Sequence, residues 1–105
     1  MKVLHQSQFF ISYQCDKQRC FFIKFPHKTI QLGFCQLLAF RQQVKEIDLE
    51  AHFNGQNTHG MEMLMLCNRE HFFVFNTLES IDLKEFLTGT FAMLELNSLL
   101  TTSSV

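Results

Sequence analysis

Two stretches of this chain alternate with the two-residue period of a β-strand, and a stretch with a helical period follows each of them. In the first, residues 29–34 alternate strictly between apolar and polar or small side chains, which is typical of a half-buried strand. The run 20–25 and the turn at Pro26 complete a predicted β-hairpin. Apolar residues then recur at spacings of three and four, which predicts an amphipathic helix over roughly residues 35–49.

The same order of elements recurs in the second half of the chain. After a polar loop at 50–60, residues 61–67 and 71–76 predict a second hairpin rich in Met, Leu, Phe and Val. A second helix is expected to begin near Ser80, which is a suitable N-cap, and its apolar stripe continues to Leu94.

These elements predict one α+β domain over residues 1–105. With a further strand at 8–13, the simplest arrangement is a four- to five-stranded, mainly antiparallel sheet with two helices on one face. The order strand-strand-helix occurs twice, which indicates a pseudo-repeat of 20–49 and 61–100, and residues 101–105 are expected to fray.

A cysteine-containing strand entry, an alternating hairpin, a helix, a polar loop and a second hairpin lead into a leucine-rich carboxy-terminal helix. This combination resembles an uncharacterised family of small bacterial domains of unknown function, over most of residues 13–96. Members of that family often carry a closer Cys pair before the first strand, from which the spacing of Cys15 and Cys20 departs. The resemblance implies the architecture and brings no activity with it.

Composition favours a globular protein in a reducing compartment. Apolar residues make up 47% of the chain and 13 residues are Phe, enough for a packed core without disulfides or metal. No signal peptide is expected, and no run of about 18 apolar residues occurs that could span a membrane as a helix. We therefore expect a cytoplasmic protein whose four cysteines are free thiols.

Charge is unevenly distributed along the chain. Residues 1–46 carry seven basic and two acidic residues, a formal charge of +5, whereas residues 47–105 carry two basic and eight acidic ones, a charge of −6. The halves either attract each other within one domain or allow the basic half of one copy to meet the acidic half of another.

Cys15 and Cys20 are spaced as one half of a structural zinc site, in which two thiolates at a turn reach one ion. The second half has no clear counterpart, since His27 and Cys35 are the conceivable completing ligands. Two basic residues between the cysteines would stabilise thiolates and repel a cation. The alternative to a zinc-stabilised domain is that both cysteines are ordinary small apolar residues beside a turn.

An enzyme is not predicted. Five His residues accompany the four thiols, but the chain lacks a phosphate-binding glycine loop, a nucleophile elbow and a zinc-protease motif. No catalytic residue and no cofactor are therefore assigned.

Segment 17–28 interleaves four basic residues with Phe21, Phe22 and Phe25, a composition that could neutralise phosphates and stack bases. A nucleic-acid-binding domain is therefore an alternative, although the chain as a whole carries a charge of −1 and the Phe residues also suit a core.

The second hairpin and the last helix contain more apolar residues than one sheet face and one helix stripe can bury. The amino-terminal strand and loop 50–60 could fold over them. The alternative is a small non-enzymatic interaction module that forms a homodimer or docks another protein, most simply as a symmetric dimer. The predicted partner-binding residues are Met61, Met63, Met65, Met93, Leu96, Leu99 and Leu100.

Overall fold

The computed structural model describes residues 1–55, 60–66 and 70–103, with side chains described as far as residue 98. Four strands form an antiparallel sheet in the order β1-β2-β3-β4. Each strand pairs with the next along the chain, so short turns are sufficient to connect them. These strands are β1 (Lys2–Gln6), β2 (Ile11–Cys15), β3 (Cys20–Lys24) and β4 (Thr29–Leu32).

Two helices, a second hairpin and a long final helix complete the described chain. The predicted α+β class, the antiparallel pairing and both predicted hairpins are confirmed. The elements are α1 (Phe34–Lys45), α2 (Leu49–Phe53), β5 (Met61–Leu66), β6 (His71–Asn76) and α3 (Thr77–Ser103).

The strands form two sheets, whereas the sequence pattern suggested one. In the described chain, β5 and β6 pair with each other and make a separate two-stranded sheet. The strand predicted at 8–13 lies at Ile11–Cys15, because a turn closed by the Ser7 amide donating to the Phe10 carbonyl at 2.8 Å precedes it. β1 was not predicted at all, and it extends the first sheet to four strands.

The helix boundaries also differ from the prediction. The first helix ends at Lys45 rather than near residue 49, and the predicted loop 50–60 contains most of α2, whose N-cap Asp48 accepts a bond from the Ala51 amide at 3.3 Å. Helix α3 continues to Ser103, so residues 101–103 are helical where fraying was expected.

Helix α3 begins at Thr77, three residues before the predicted N-cap Ser80. The Glu79 amide donates to Asn76 Oδ1 at 2.8 Å, and the Asn76 amide donates to Glu79 Oε1 at 3.1 Å, which is a reciprocal capping box. Ser80 is instead fully buried inside the helix.

An aromatic cluster joins the two sheets and the last helix. The Phe10 ring is buried, and its centroid lies 5.7 Å from Phe25, 5.8 Å from Phe75 and 5.4 Å from Phe86. Edge-on contacts of this kind add to the free energy of burial, because the positive ring edge meets the negative ring face. Phe73 stacks on Phe25 at 4.1 Å and extends the cluster along the second hairpin.

A buried carboxylate holds the turn that carries Phe10. Asp82 on α3 accepts bonds from Ser7 Oγ at 2.6 Å, from the Phe9 amide at 3.0 Å and from the Gln8 amide at 3.3 Å. The turn between β1 and β2 therefore depends on one side chain 73 to 75 residues away in sequence.

Strand β1 packs closely on α3 farther along the helix. Ser12 of the neighbouring strand and Thr90 of the helix share a buried hydroxyl–hydroxyl hydrogen bond of 2.8 Å. At Gly89, an added Cβ would lie 2.5 Å from His5 Nε2, so only glycine admits the imidazole ring in this position.

Replacing Asp82 with Ala removes the acceptor of all three turn donors, which are partly buried. We expect Asp82→Ala to lower the free energy of unfolding by about 2–3 kcal/mol, because the donors lose a charged partner and are not fully rehydrated. Urea denaturation measures the change. As a control, Asp16→Ala in the exposed turn between β2 and β3 should change the free energy by less than about 0.5 kcal/mol. Equal effects of both substitutions would contradict this role of Asp82.

The contact between Gly89 and His5 predicts non-additive stability. Ala at position 89 would gain about 1 kcal/mol of helix propensity if its methyl group had room. We expect Gly89→Ala to give no stabilisation in the wild-type chain and about 1 kcal/mol in a His5→Ala background, because that background lacks the ring. Denaturation of the four proteins measures the coupling, and identical effects in both backgrounds would rule out the contact.

Candidate interaction surface

The β5–β6 hairpin has one face toward the core and one toward solvent. Its register pairs Met63 with Val74 and Met65 with Phe72, and paired residues of an antiparallel sheet lie on the same face. Met61 lies on that face as well, opposite Asn76. We call this surface the hairpin face, and it consists of Met61, Met63, Met65, Phe72 and Val74.

All five apolar side chains of the hairpin face are between 46% and 67% exposed. The opposite face is the buried one, since Leu64, Leu66 and Phe75 belong to the core. The hairpin face presents on the order of 500 Å² of apolar surface, within the range in which the largest patch of a soluble protein often has a function.

Contacts on both sides of the hairpin fix its orientation. Gln43 of α1 donates from Nε2 to the Met65 carbonyl at 2.8 Å, at the β5 edge. Beside β6, Lys28 Nζ lies 4.8 Å above the Phe73 ring and 3.2 Å from His71 Nδ1. The turn between β3 and β4 therefore supports β6 from the first sheet.

His52 links the base of the hairpin to helices α2 and α3. Its Nε2 lies 2.7 Å from Glu62 Oε1 of β5, and its Nδ1 lies 2.8 Å from Thr77 Oγ1 at the start of α3. The imidazole is fully buried, whereas the Glu62 side chain is about one quarter exposed at 24%. This network ties three elements together and holds the hairpin in place.

The carboxy-terminal helix contributes less exposed apolar surface than its sequence suggested. Met93 is partly buried against the core, and Leu96 is 49% exposed. The side chains of Leu99 and Leu100 lie outside the described residues. Of the predicted partner-binding residues, the structure brings together the three Met residues of β5.

Phe72 and Val74 belong to the hairpin face but were absent from the predicted partner-binding residues. Alternation along 71–76 places them on one side of the strand, yet it does not reveal which side. That choice depends on the register, in which Leu66 lies opposite His71. A turn of three residues at 68–70, as predicted, would shift the pairing by one and put Phe73 opposite Met65.

Neither predicted cover hides the hairpin face. Strand β1 hydrogen-bonds to β2 at the edge of the first sheet. Helix α2, within the loop expected to fold over the hairpin, reaches Glu62 on the inner face through His52. Residues 56–59 of that loop lie outside the described chain.

Cys15 and Cys20 are direct cross-strand partners at the end of the β2–β3 hairpin. Cys20 is buried with its Sγ 3.7 Å from Gln18 Oε1, and both thiols are free, as is the exposed Cys35. Across residues 1–55, 60–66 and 70–103, no group of three His, Cys, Asp or Glu side chains is arranged to hold a metal ion. The structure therefore brings the predicted pair together without a third described ligand, and Cys67 lies outside the described residues.

Segment 17–28 divides between the core and an outer sheet face. Phe21 and Phe25 are buried, so neither ring is available to stack on a base. Phe22 lies opposite Tyr13 on the other face of the first sheet, where both rings are partly exposed, and Lys24 on the same face is exposed.

Comparisons of the chain with protein-family models, with curated proteins and with solved structures gave no match. The resemblance to a family of small bacterial domains therefore stays a prediction. Within the described chain, no helix combines the length and the apolar character needed to cross a membrane.

Proposed function

We propose that this chain is a non-enzymatic interaction module that self-associates as a symmetric dimer through the hairpin face. The observation that carries the proposal is the placement of Met63, Met65, Phe72 and Val74 together on one sheet face, all nearly half exposed or more. Leaving this surface in water costs about 25 cal/mol for each Å² of apolar area, which a second copy would recover.

The size of the hairpin face suits a dimer of ordinary dimensions. A standard interface covers about 800 Å² of each partner, of which about 56–65% is apolar. An apolar centre on the order of 500 Å² with a polar rim meets both values. The flexible Met side chains can also adjust to the opposing copy, since their thioether chains adopt many rotamers.

The chemistry of the hairpin face favours a second copy over a charged partner. Its register positions hold five apolar residues and Asn76, and none of them is charged. Two such faces related by a twofold axis meet without like-charge repulsion and without desolvating an ion. Stacking of the two hairpins would resemble the face-to-face packing of sheets about 10 Å apart.

We also place the protein in a reducing, cytoplasmic compartment. Cys15 and Cys20 are free thiols although they are direct cross-strand partners, which supports this location.

A charge at the centre of the hairpin face tests the proposal. We expect the wild-type protein to sediment as a dimer at micromolar concentration, and Met63→Glu to raise the dimer dissociation constant by about 100-fold or more, because burying an unpaired carboxylate costs several kcal/mol. Sedimentation velocity over a concentration series measures both constants.

The matched control is Val3→Glu, which places the same charge on a half-exposed apolar residue of edge strand β1. It should leave dimerisation unchanged. A monomeric wild-type protein at 100 µM, a dimer that survives Met63→Glu, or a complex only with a different protein would each overturn self-association through this face.

A second candidate function is binding of single-stranded nucleic acid on the outer face of the first sheet. The pairing of Tyr13 with Phe22 beside Lys24 supports it, because two rings on central strands can stack on successive bases. We expect a mixed 20-nucleotide DNA to bind at 50 mM salt, and Phe22→Ala to weaken binding by about tenfold, since each stacked base contributes about 1–3 kcal/mol.

Fluorescence anisotropy with labelled DNA measures this affinity, and Phe53→Ala, which removes an exposed ring on α2, is the control. Absence of binding at low salt, or equal loss in both variants, would remove this candidate.

A further inference from the structure

A groove of about 470 Å³ lies between α1 and α3, away from the hairpin face. Its apolar lining includes Val44 and Leu87, which are buried core residues, and Phe91, which packs partly buried against the core. Binding sites for small molecules commonly have volumes of about 300–1,000 Å³ and an apolar lining with a few polar groups. The groove therefore has the size and the interior of a small-molecule site.

Three cations line this groove. Arg41 and Lys45 come from α1 and Lys84 comes from α3, while Glu95 is the one acidic residue among the lining residues. Within the described chain, no carboxylate lies within 4 Å of any of the three cationic groups, because the ion pair found there joins His52 and Glu62. The positive charge around the groove is thus available to an anion from solution.

Arg41 is held in place by the groove itself. Its guanidinium carbon lies 4.2 Å from the centroid of the Phe91 ring, which is the geometry of a cation–π contact. This contact restricts the long side chain and leaves the planar edge of the guanidinium free to donate two parallel hydrogen bonds. A carboxylate is the group that accepts such a pair.

We propose that this groove binds a monocarboxylic acid with an apolar chain, such as a medium-chain fatty acid. The chain would lie on Val44, Leu87 and Phe91, and the carboxylate would meet Arg41 with Lys84 or Lys45 beside it. A purely inorganic anion would leave the apolar lining in water, and a neutral chain would leave the cations without a counter-charge. The charge and the lining together select a molecule that has both features.

Octanoate is the probe for this site, and octanol of equal chain length is its uncharged counterpart. We expect isothermal titration calorimetry to give a dissociation constant below 1 mM for octanoate, at least tenfold lower than for octanol. The double variant Arg41→Gln/Lys84→Gln should weaken octanoate binding about tenfold and leave octanol binding unchanged, because one lost charge-assisted contact corresponds to about 1.4 kcal/mol.

The control variant is Lys17→Gln, which removes an exposed cation from the turn between β2 and β3. It should bind octanoate like the wild-type protein, and the circular dichroism and melting temperature of each free variant establish that it is folded. If the double variant unfolds, the single variant Lys84→Gln replaces it, with about threefold weakening expected. No octanoate binding at 10 mM, equal binding of octanoate and octanol, or equal loss in Lys17→Gln would each overturn the proposal.

The proposal is independent of dimerisation, because its residues lie on α1 and α3 and the hairpin face lies on β5 and β6. Met63→Glu should therefore bind octanoate with the wild-type dissociation constant.

Discussion

The packing of Phe10 between the two sheets is the contact on which the arrangement of this protein depends. In the described chain no strand hydrogen bonds connect the four-stranded sheet to the β5–β6 hairpin, so side-chain packing sets their relative position. Phe10 touches one ring from each sheet and one from α3. Its own position depends on Asp82, which holds the β1–β2 turn through two backbone amides and a hydroxyl.

The exposed hairpin face follows from the same packing. A two-stranded sheet is marginally stable alone, so β5 and β6 need a packed face, and Leu64, Leu66 and Phe75 provide it. Helix α1 contacts β5 at Gln43, and α3 contacts the first sheet through Thr90, so both long helices lie on the core side of the strands. The other hairpin face is left to solvent, although its residues are as apolar as those inside.

The two proposed sites have opposite physical characters. The hairpin face is broad, flat in its register and uncharged, which suits a surface identical to itself. The groove between α1 and α3 is concave and has three cations above an apolar lining, which suits a small anion with a chain. The difference arises because strands alternate residues between two faces, while a helix pair encloses a furrow that long basic side chains border.

Local signals in the sequence were sufficient for the fold class and for both hairpins. Strict alternation over 29–34 and the dense apolar run over 61–66 determined strands, since a two-residue period places side chains on one face. The helical periods determined α1 and α3, but their ends depended on caps: Asn76 and Glu79 began α3 before the predicted Ser80. Such caps involve only a few residues, so several candidates compete in one sequence.

Only the tertiary structure decided how the hairpins are grouped, which face of the second hairpin is exposed and which cations border a groove. A single sheet and two packed sheets have the same alternation, and the choice between them lay in ring contacts such as Phe25 with Phe73, 48 residues apart in sequence. The apolar excess of residues 61–75 was visible in the sequence, but the register that exposes Phe72 rather than Phe73 was not. Periodicity reports which residues share a face, whereas burial of that face depends on what the distant parts of the chain place against it.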